Sequence, residues 1–562
     1  MKNVVVIGGT AAGPKTAAKL RRLDPDANIT IIEKGEKLSY AGCGMPYYIA
    51  GNVSDIKALY FTPYGLERDP VFFSTTKNIS VLNNTEAIKI NRNDKSIDVK
   101  NLKTSEFKNL PYDYLVIATG STPIVPKMEG LELKNVFVLH SLEDAKAIKE
   151  SLNSSIEKAV IIGGGLIGLE MAEALYVNKE FLLDISIVEM LPEILPFLDP
   201  DMALLVRKYC EDEGVTFYTS EKVSKLTGDE NNVVKRVITS NHEIDTDMVI
   251  VATGFRPNVT LAKECGLELG ITGGIKVNNK MQTSDPYIYA AGDCVESQNI
   301  VTERPAYSPM GSSANKQGRV AALNIAGEEE IYPGIVNSII LKVLDLNVAK
   351  TGMTAKEAVS SGFDVEYSLV PAHDKPHYYP TFKLVTSKLI ADKKTGKFLG
   401  AQFVGKGDVL KSINTGATAL HFNANIKDIS NLDIPYAPPY SAPIDNICLA
   451  ANVLRNKIAN KFSSISFFEV KEKIDAKEDI VLLDVRETRE FETNRIDGSI
   501  NIPLGQLREN LDKLPKDKLI ITYCQMSLRG YEASVILQSN GFTNVKVLDG
   551  GLLVWPYEFK KK

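Results

Sequence analysis

The 562-residue chain has few of the residues that staple small secreted proteins or hold metals. Its six cysteines, at 43, 210, 265, 294, 448 and 524, form no Cys-x-x-Cys pair, and its five histidines do not cluster with them. That scatter argues against a zinc site and a disulfide framework, and it leaves individual reactive thiols. A basic excess is also missing: 65 Lys and Arg against 70 Asp and Glu give a net charge of −5. Neither a nucleic-acid surface nor a polybasic membrane patch fits that balance. No run approaches about 18 uninterrupted apolar residues. Met1-Lys2-Asn3 leads straight into "VVVIGG" with no apolar signal-peptide core and cleavage site. The expected chain is cytoplasmic, unprocessed and without a membrane segment.

What is present suffices for several cores. The composition is 44% hydrophobic and 24% charged, and the length suggests three or four domains of about 150 residues each. The opening "KNVVVIGGTAAGPKTAAKLRRL" reads as strand, glycine turn and helix. In that reading Gly8 makes the tight turn, Gly13 lets helix and strand approach, and Thr10 stands where a middle glycine is usual. Ala12 opens the helix, whose N-terminus would face a pyrophosphate. Glu33 ends "NITIIE", 25 residues after Gly8, where an acid accepts from a ribose. A second fingerprint, "KAVIIGGGLIGLEMAEAL", carries Gly163, Gly165 and Gly168, and Glu189 closes "DISIVE". An acid there bonds a 2′-hydroxyl and repels a 2′-phosphate, which favours NADH over NADPH.

Two similar strand-to-loop segments follow the fingerprints, "YDYLVIATGSTP" with Thr119 and Gly120, and "DMVIVATGFRPN" with Gly254. "TSDPYIYAAGDC" then places Asp293 after a strand and a glycine. In this order the five motifs resemble the two-dinucleotide-binding flavoproteins of the pyridine nucleotide-disulfide oxidoreductase family, over about residues 1 to 450. The resemblance implies FAD at the first site, the nicotinamide cofactor at the second, and Asp293 on the flavin ribityl chain.

"SYAGCGMPYYIAG" sets Cys43 between two glycines. Family members that reduce glutathione or lipoamide use two cysteines separated by four residues, whereas here positions 38 and 48 are Leu38 and Tyr48. The segment resembles the single-cysteine branch, which contains coenzyme A disulfide reductases, persulfide and polysulfide reductases, NADH oxidases and NADH peroxidases. Close relatives have Asn where this chain has Gly42. Oxidases and peroxidases of the branch use a histidine near the first helix, and "AAGPKTAAKLRRLD" has none. That helix offers Lys15, Lys19, Arg21 and Arg22, with Lys19, Arg22 and Ser39 taken as contacts for coenzyme A phosphates. "HDKPHYYPTF" and "DIPYAPPYSAPID" look like the two tyrosine segments that cross a dimer interface in coenzyme A disulfide reductases. Tyr379 and Tyr436 are the expected pair, and a homodimer is implied.

After a polar stretch, the last hundred or so residues change pattern. "DVRE", "GSINIP", the loop Cys524 to Arg529 and "LDGGLLVW" resemble a rhodanese domain. Backbone N–H groups of such a loop stabilise a thiolate at Cys524, and Arg529 closes the ring. Relatives read Gly-His where this chain has Asn494-Arg495. The expected architecture is α/β: two Rossmann-like domains (FAD, 1–150 and 255–330; NADH, 151–254), an α+β dimerisation domain (331–450), a linker (451–464) and an α/β rhodanese domain (465–562). The expected activity is NADH-dependent, FAD-mediated reduction of coenzyme A persulfide, polysulfide or coenzyme A disulfide at Cys43, with Cys524 carrying sulfane sulfur. Coenzyme A enters as substrate or bound thiol, and no metal is expected. Two alternatives stay open: an NADH oxidase or peroxidase cycling through a Cys43 sulfenic acid, and a rhodanese sulfurtransferase or sulfur carrier.

Overall fold

The computed structural model describes residues 1–178 and 183–561, which divide into two compact units. The first comprises Met1–Ile194 and Gly214–Ile335, the second Leu195–Glu213 and Val336–Lys562.

Two parallel sheets organise the first unit. Strands Ile288–Ala290, Tyr114–Ile117, Asn3–Ile7, Asn28–Ile32 and Ser80–Leu82 lie side by side in that order. Thr216–Thr219, Asp184–Glu189, Lys158–Ile162, Met248–Val251 and Val136–Val138 repeat the arrangement. The apolar runs "VVVI" and "AVII" are buried along their length, as strands covered on both faces must be. Each fold carries a three-stranded antiparallel sheet, and a short ladder pairs Ser121–Pro123 with Phe255–Pro257, so the two ATG segments are joined. The first helix, Ala12–Leu23, packs closely on helix Gly311–Ala326. Gly318 permits the approach, since a Cβ there would lie 2.6 Å from the Ala12 carbonyl oxygen.

The second unit has an antiparallel sheet in the order Ile339–Val343, Leu346–Gly352, Phe398–Gly405, Leu384–Asp392, Val365–His373. Helix Asn446–Ile458 packs across it. A second, parallel sheet runs Ser464–Ile465, Val545–Leu548, Leu519–Tyr523, Ile480–Asp484, Ile500–Asn501.

Two boundaries differ from the sequence reading. Residues 195–213, assigned there to the NADH domain, belong with the second unit. Asp199 and Asp201, at the start of helix Pro200–Asp212, are buried and held by Lys388 at 3.1 and 2.7 Å, and Gln402 also donates to Asp199. The stretch 451–464, expected as a linker, is helical to Ile458 with Ala451, Leu454 and Lys457 buried. Lys457 donates to the Tyr367 carbonyl and pairs with Glu366 and Asp549, so its charge is matched inside the unit. Only about five residues connect that helix to the next strand.

Candidate functional site

Both glycine fingerprints fold as cradles. Gly8 has φ +108° and Gly163 φ +112°, the left-handed region that a side chain resists. A Cβ on Gly8 or Gly163 would run into the carbonyl of Ala118 or Ala252, and one on Gly13 or Gly168 into the carbonyl of Gly8 or Gly163. Gly165 has open space where its Cβ would be, on the side a pyrophosphate needs. Glu33 accepts from the N–H of Gly9 at 2.6 Å and of Gly35 at 2.7 Å; Glu189 accepts from Gly164 at 2.7 Å and Leu191 at 2.8 Å. Each carboxylate oxygen keeps a second lone pair for a ribose hydroxyl.

Around the first cradle, Thr10 lies against the Tyr40 phenol, and Ala12 is buried where the helices cross. Thr119 donates to the Asn258 carbonyl, and the Gly120 carbonyl accepts from the Asn258 N–H, so this ATG turn is tied to the end of the second ATG segment, four residues past Gly254. Gly254, in that second turn, has φ +102°. Asp293 sits half-buried with Ser121 at 3.4 Å, and burial pushes its carboxyl up. Beside it lies the buried Tyr307 hydroxyl, close to Ser121 and to the Asp293 carboxylate.

Cys43 occupies the tight turn Gly42–Gly44 that leads into helix Met45–Ile49. The residue is exposed, yet protein crowds the sulfur enough that burial is the first cause raising its pKa, followed by the Glu170 and Asp293 carboxylates. Glu170, on helix Leu166–Tyr176, is itself pushed up to about 7 by burial and by Glu173. Lys149 anchors the Cys43 helix by donating to the Tyr48 carbonyl at 2.7 Å and capping its ring. A Cβ at Gly42 would meet nothing within 4 Å, so no close approach demands glycine there.

Among the basic residues of the first helix, Arg21 is committed to the carbonyls of Asp24, Pro25, Ala27 and Asn78. Lys19 is half-buried and Arg22 exposed. Ser39 has φ +49°, and its carbonyl accepts from Arg68, a cation the sequence reading did not single out. In the tyrosine segments the hydroxyl meeting Tyr436, at 3.4 Å, is that of Tyr378; Tyr379 instead takes part in a backbone turn with Pro376 and Phe382.

Cys524 follows the strand Leu519–Tyr523 and is buried. Its carbonyl accepts from Leu552 and that of Gln525 from Leu553, while a Cβ on Gly551 would strike the Cys524 carbonyl. The double glycine of "LDGG" is therefore the seat of the loop. Ser527, at φ +73°, turns the chain into helix Leu528–Ser539, and its hydroxyl holds the Leu548 carbonyl. Arg529 forms a two-pronged pair with Glu490 at 2.7 and 2.8 Å and lies against Cys524. Buried Arg486 bonds Asp484, Asn494 and Gln525. Asn494, where relatives have glycine, thus supplies a contact of its own.

Glu170, Arg68, Glu490 and the Asp484–Arg486 pair carry functional geometry that spacing did not reveal. Arg486 lay within the quoted "DVRE", whereas Glu170's approach to Cys43 depends on helix packing over more than a hundred residues.

Three family models cover this architecture: pyridine nucleotide-disulphide oxidoreductase over residues 2–317, its dimerisation domain over 339–446, and a rhodanese-like domain over 467–557. The chain belongs to the pyridine nucleotide-disulphide oxidoreductase family. Within it, an NADH oxidase of Methanocaldococcus jannaschii is 37% identical, covering 81% of this chain and 99% of that one. An NAD(P)H coenzyme A polysulfide/persulfide reductase of Pyrococcus horikoshii is 35% identical over 81% and 98%. A solved structure, an NAD-dependent persulfide reductase from A. fulgidus, superposes with a TM-score of 0.93 at 42% identity, covering 98% of this chain and 100% of that one. The family's dimerisation domain supports a homodimer. Among the described residues no helix is long and apolar enough to cross a membrane, and no cluster of side chains suits a metal ion.

Proposed function

We propose that the chain is an FAD-dependent NADH reductase of coenzyme A persulfide, polysulfide and coenzyme A disulfide. The observation that carries this reading is Cys43, an exposed single thiol facing Asp293 of one nucleotide fold and Glu170 of the other. In this reading residues 1–150 and 255–330 hold FAD, 151–254 hold NADH, 331–450 dimerise, and 465–562 carry sulfur. The first cradle fits FAD: its glycines leave the room, and Glu33 keeps lone pairs for a ribose. Bound there, the flavin supplies a two-electron relay between nicotinamide and sulfur.

This chain's residues do the rest. Glu189 orients the NADH ribose and disfavours a 2′-phosphate. The Cys43 thiolate attacks a sulfur–sulfur bond. With a disulfide it forms a mixed disulfide and releases one coenzyme A thiolate; two electrons then return Cys43 to the thiolate and free the second. With a persulfide it takes the outer sulfur, releasing coenzyme A thiolate, and two electrons plus a proton free hydrogen sulfide. Glu170, pushed up to about 7 and felt electrostatically at Cys43, is assigned to hold that proton. Tyr436, with Tyr378 or Tyr379, is assigned to the partner subunit's Cys43 pocket, and Lys19, Arg22 and Ser39 to coenzyme A phosphates.

The oxidase reading rests on the M. jannaschii relative, of which the chain spans 99% while nearly a fifth of its own length stays unmatched. The persulfide reductase matches through the rhodanese segment as well, and the first helix has no histidine for peroxide chemistry. Anaerobic NADH oxidation with coenzyme A disulfide, coenzyme A persulfide, polysulfide and peroxide offered separately tests the choice. Sulfur substrates should dominate, Cys43→Ser should lower turnover by about a thousandfold or more, and Cys524→Ser should impair polysulfide alone. Preferred turnover of peroxide or oxygen, or sulfur reduction surviving Cys43→Ser, would refute the reductase reading.

A further inference from the structure

Cys524 is 2% exposed, so only the terminal sulfur of a donor reaches it while the rest of that donor stays at the loop mouth. Charge at that mouth decides which donor fits. Between Cys524 and Arg529 the loop reads Gln525, Met526, Ser527, Leu528, without a charge. Two guanidinium groups touch the loop, and each is matched. Arg529 is bound through both terminal nitrogens to Glu490, and Arg486 is locked on Asp484 at 2.8 Å and 3.1 Å. Glu490 and Arg529 are each about one-third exposed, at 35% and 30%, so the pair lines the entrance and is not buried beneath it. Arg529 pulls the Glu490 carboxyl below the usual carboxylate range, so the negative charge persists through neutral pH.

The geometry points to Glu490 as the residue that sets donor specificity at Cys524, selecting an alkyl persulfide over thiosulfate. This rests on Cys524 being a sulfane-sulfur carrier, as proposed above. A thiosulfate dianion would have to leave its three sulfonate oxygens beside a carboxylate, and among the described residues both guanidinium groups at the loop already hold a carboxylate. An alkyl persulfide leaves an uncharged methylene there. In the favoured transfer the Cys524 thiolate attacks the outer sulfur of R–S–SH; the Sγ–S bond forms, the donor's S–S bond breaks, and RS⁻ leaves, giving Cys524–S–SH with no net redox change. Thiosulfate would react by the same displacement, with sulfite as the leaving group. Glu490 does not touch the reacting sulfur; it acts through Arg529 as a positioning residue.

The test is sulfur transfer to cyanide by the full-length holoenzyme, with thiosulfate or cysteine persulfide as donor, in wild type, Glu490→Gln and Glu490→Asp. Glu490→Gln should raise kcat/KM for thiosulfate by about tenfold and that for persulfide by less than about twofold; Glu490→Asp should resemble wild type. Added salt should leave the thiosulfate reaction of wild type nearly unchanged and slow that of Glu490→Gln, where Arg529 is no longer matched, a difference that loss of fold does not produce. Equal changes for both donors, or wild-type thiosulfate transfer that salt slows, would overturn the proposal. If Cys524→Ser transfers sulfur as well as wild type, the carrier assignment itself fails and the proposal with it. NADH oxidation with coenzyme A disulfide, which needs Cys43 and not Cys524, reports separately on the reductase reading.

Discussion

Glu170 faces Cys43 from a helix of the other nucleotide fold, and its carboxyl titrates about 7, within the range where thiol chemistry operates. A folded-state pKa raised above the ordinary 4.5 means that the protonated form is favoured by folding; the Glu170 contribution to stability is fully present below about 4.5 and is lost as pH rises through about 7. The same ionisation places a negative charge opposite the Cys43 sulfur and holds its thiol up. Glu170→Gln should therefore lower the Cys43 pKa and speed its alkylation by iodoacetamide at pH 8, where the thiolate is the reacting form. Near pH 5 wild-type Glu170 carries its proton and the two proteins should react alike. A variant-to-wild-type ratio that stays flat across this range would show that Glu170 does not govern the thiol. Cys43 itself was legible in the sequence, because two glycines and the missing second cysteine set it apart. Glu170 was not: inside a glycine fingerprint a glutamate reads as an ordinary helix residue.

At the scale of elements, helix Asn446–Ile458 explains how a packed segment passes for a linker. Its core-facing positions, Ala450, Ala451, Leu454 and Lys457, end in a lysine amid Arg455 and Asn456, so the apolar stripe fades before the helix does. The lysine is at home because Glu366, Asp549 and the Tyr367 carbonyl surround it, with Ser464 donating to the same Asp549. None of those partners is visible from local spacing. Lys457→Met would leave buried Asp549 without its cation, while Glu366 keeps Lys393 at 3.9 Å, a loss of about 3 kcal/mol or more. Asp549 precedes the double glycine that seats the Cys524 loop, and Trp555, the chain's single tryptophan, is buried a few residues on. Its fluorescence during urea unfolding should report a lower midpoint for Lys457→Met, and Lys457→Met with Asp549→Asn should recover part of the loss. An unchanged midpoint would mean that the cluster adds nothing to the stability of this unit.

For the whole molecule, motif order foretold the architecture, because glycine turns, ATG segments and the "LDGG" seat each answer to a local steric demand. The allegiance of residues 195–213 escaped, since Lys388 and Gln402 lie nearly two hundred residues away and only folding brings them to Asp199 and Asp201. Quaternary structure follows from what folding leaves uncovered. In or beside the segment matched to a dimerisation domain, Phe422 and Tyr440 are 76% and 75% exposed, and Tyr378, Ile444 and Leu410 remain more than half exposed. Large apolar residues gathered in one domain at that exposure are unfavourable for a monomer in water and suited to an interface between copies. Light scattering after size exclusion should give twice the chain mass for wild type. Tyr440→Asp with Ile444→Asp, which puts two charges into the contact, should shift the protein to the single-chain mass at micromolar concentration. If the Tyr378–Tyr436 pair serves the partner subunit's Cys43, NADH turnover with coenzyme A disulfide should fall with the dimer fraction as that variant is diluted. Turnover that holds while the mass halves would place every catalytic group within one chain.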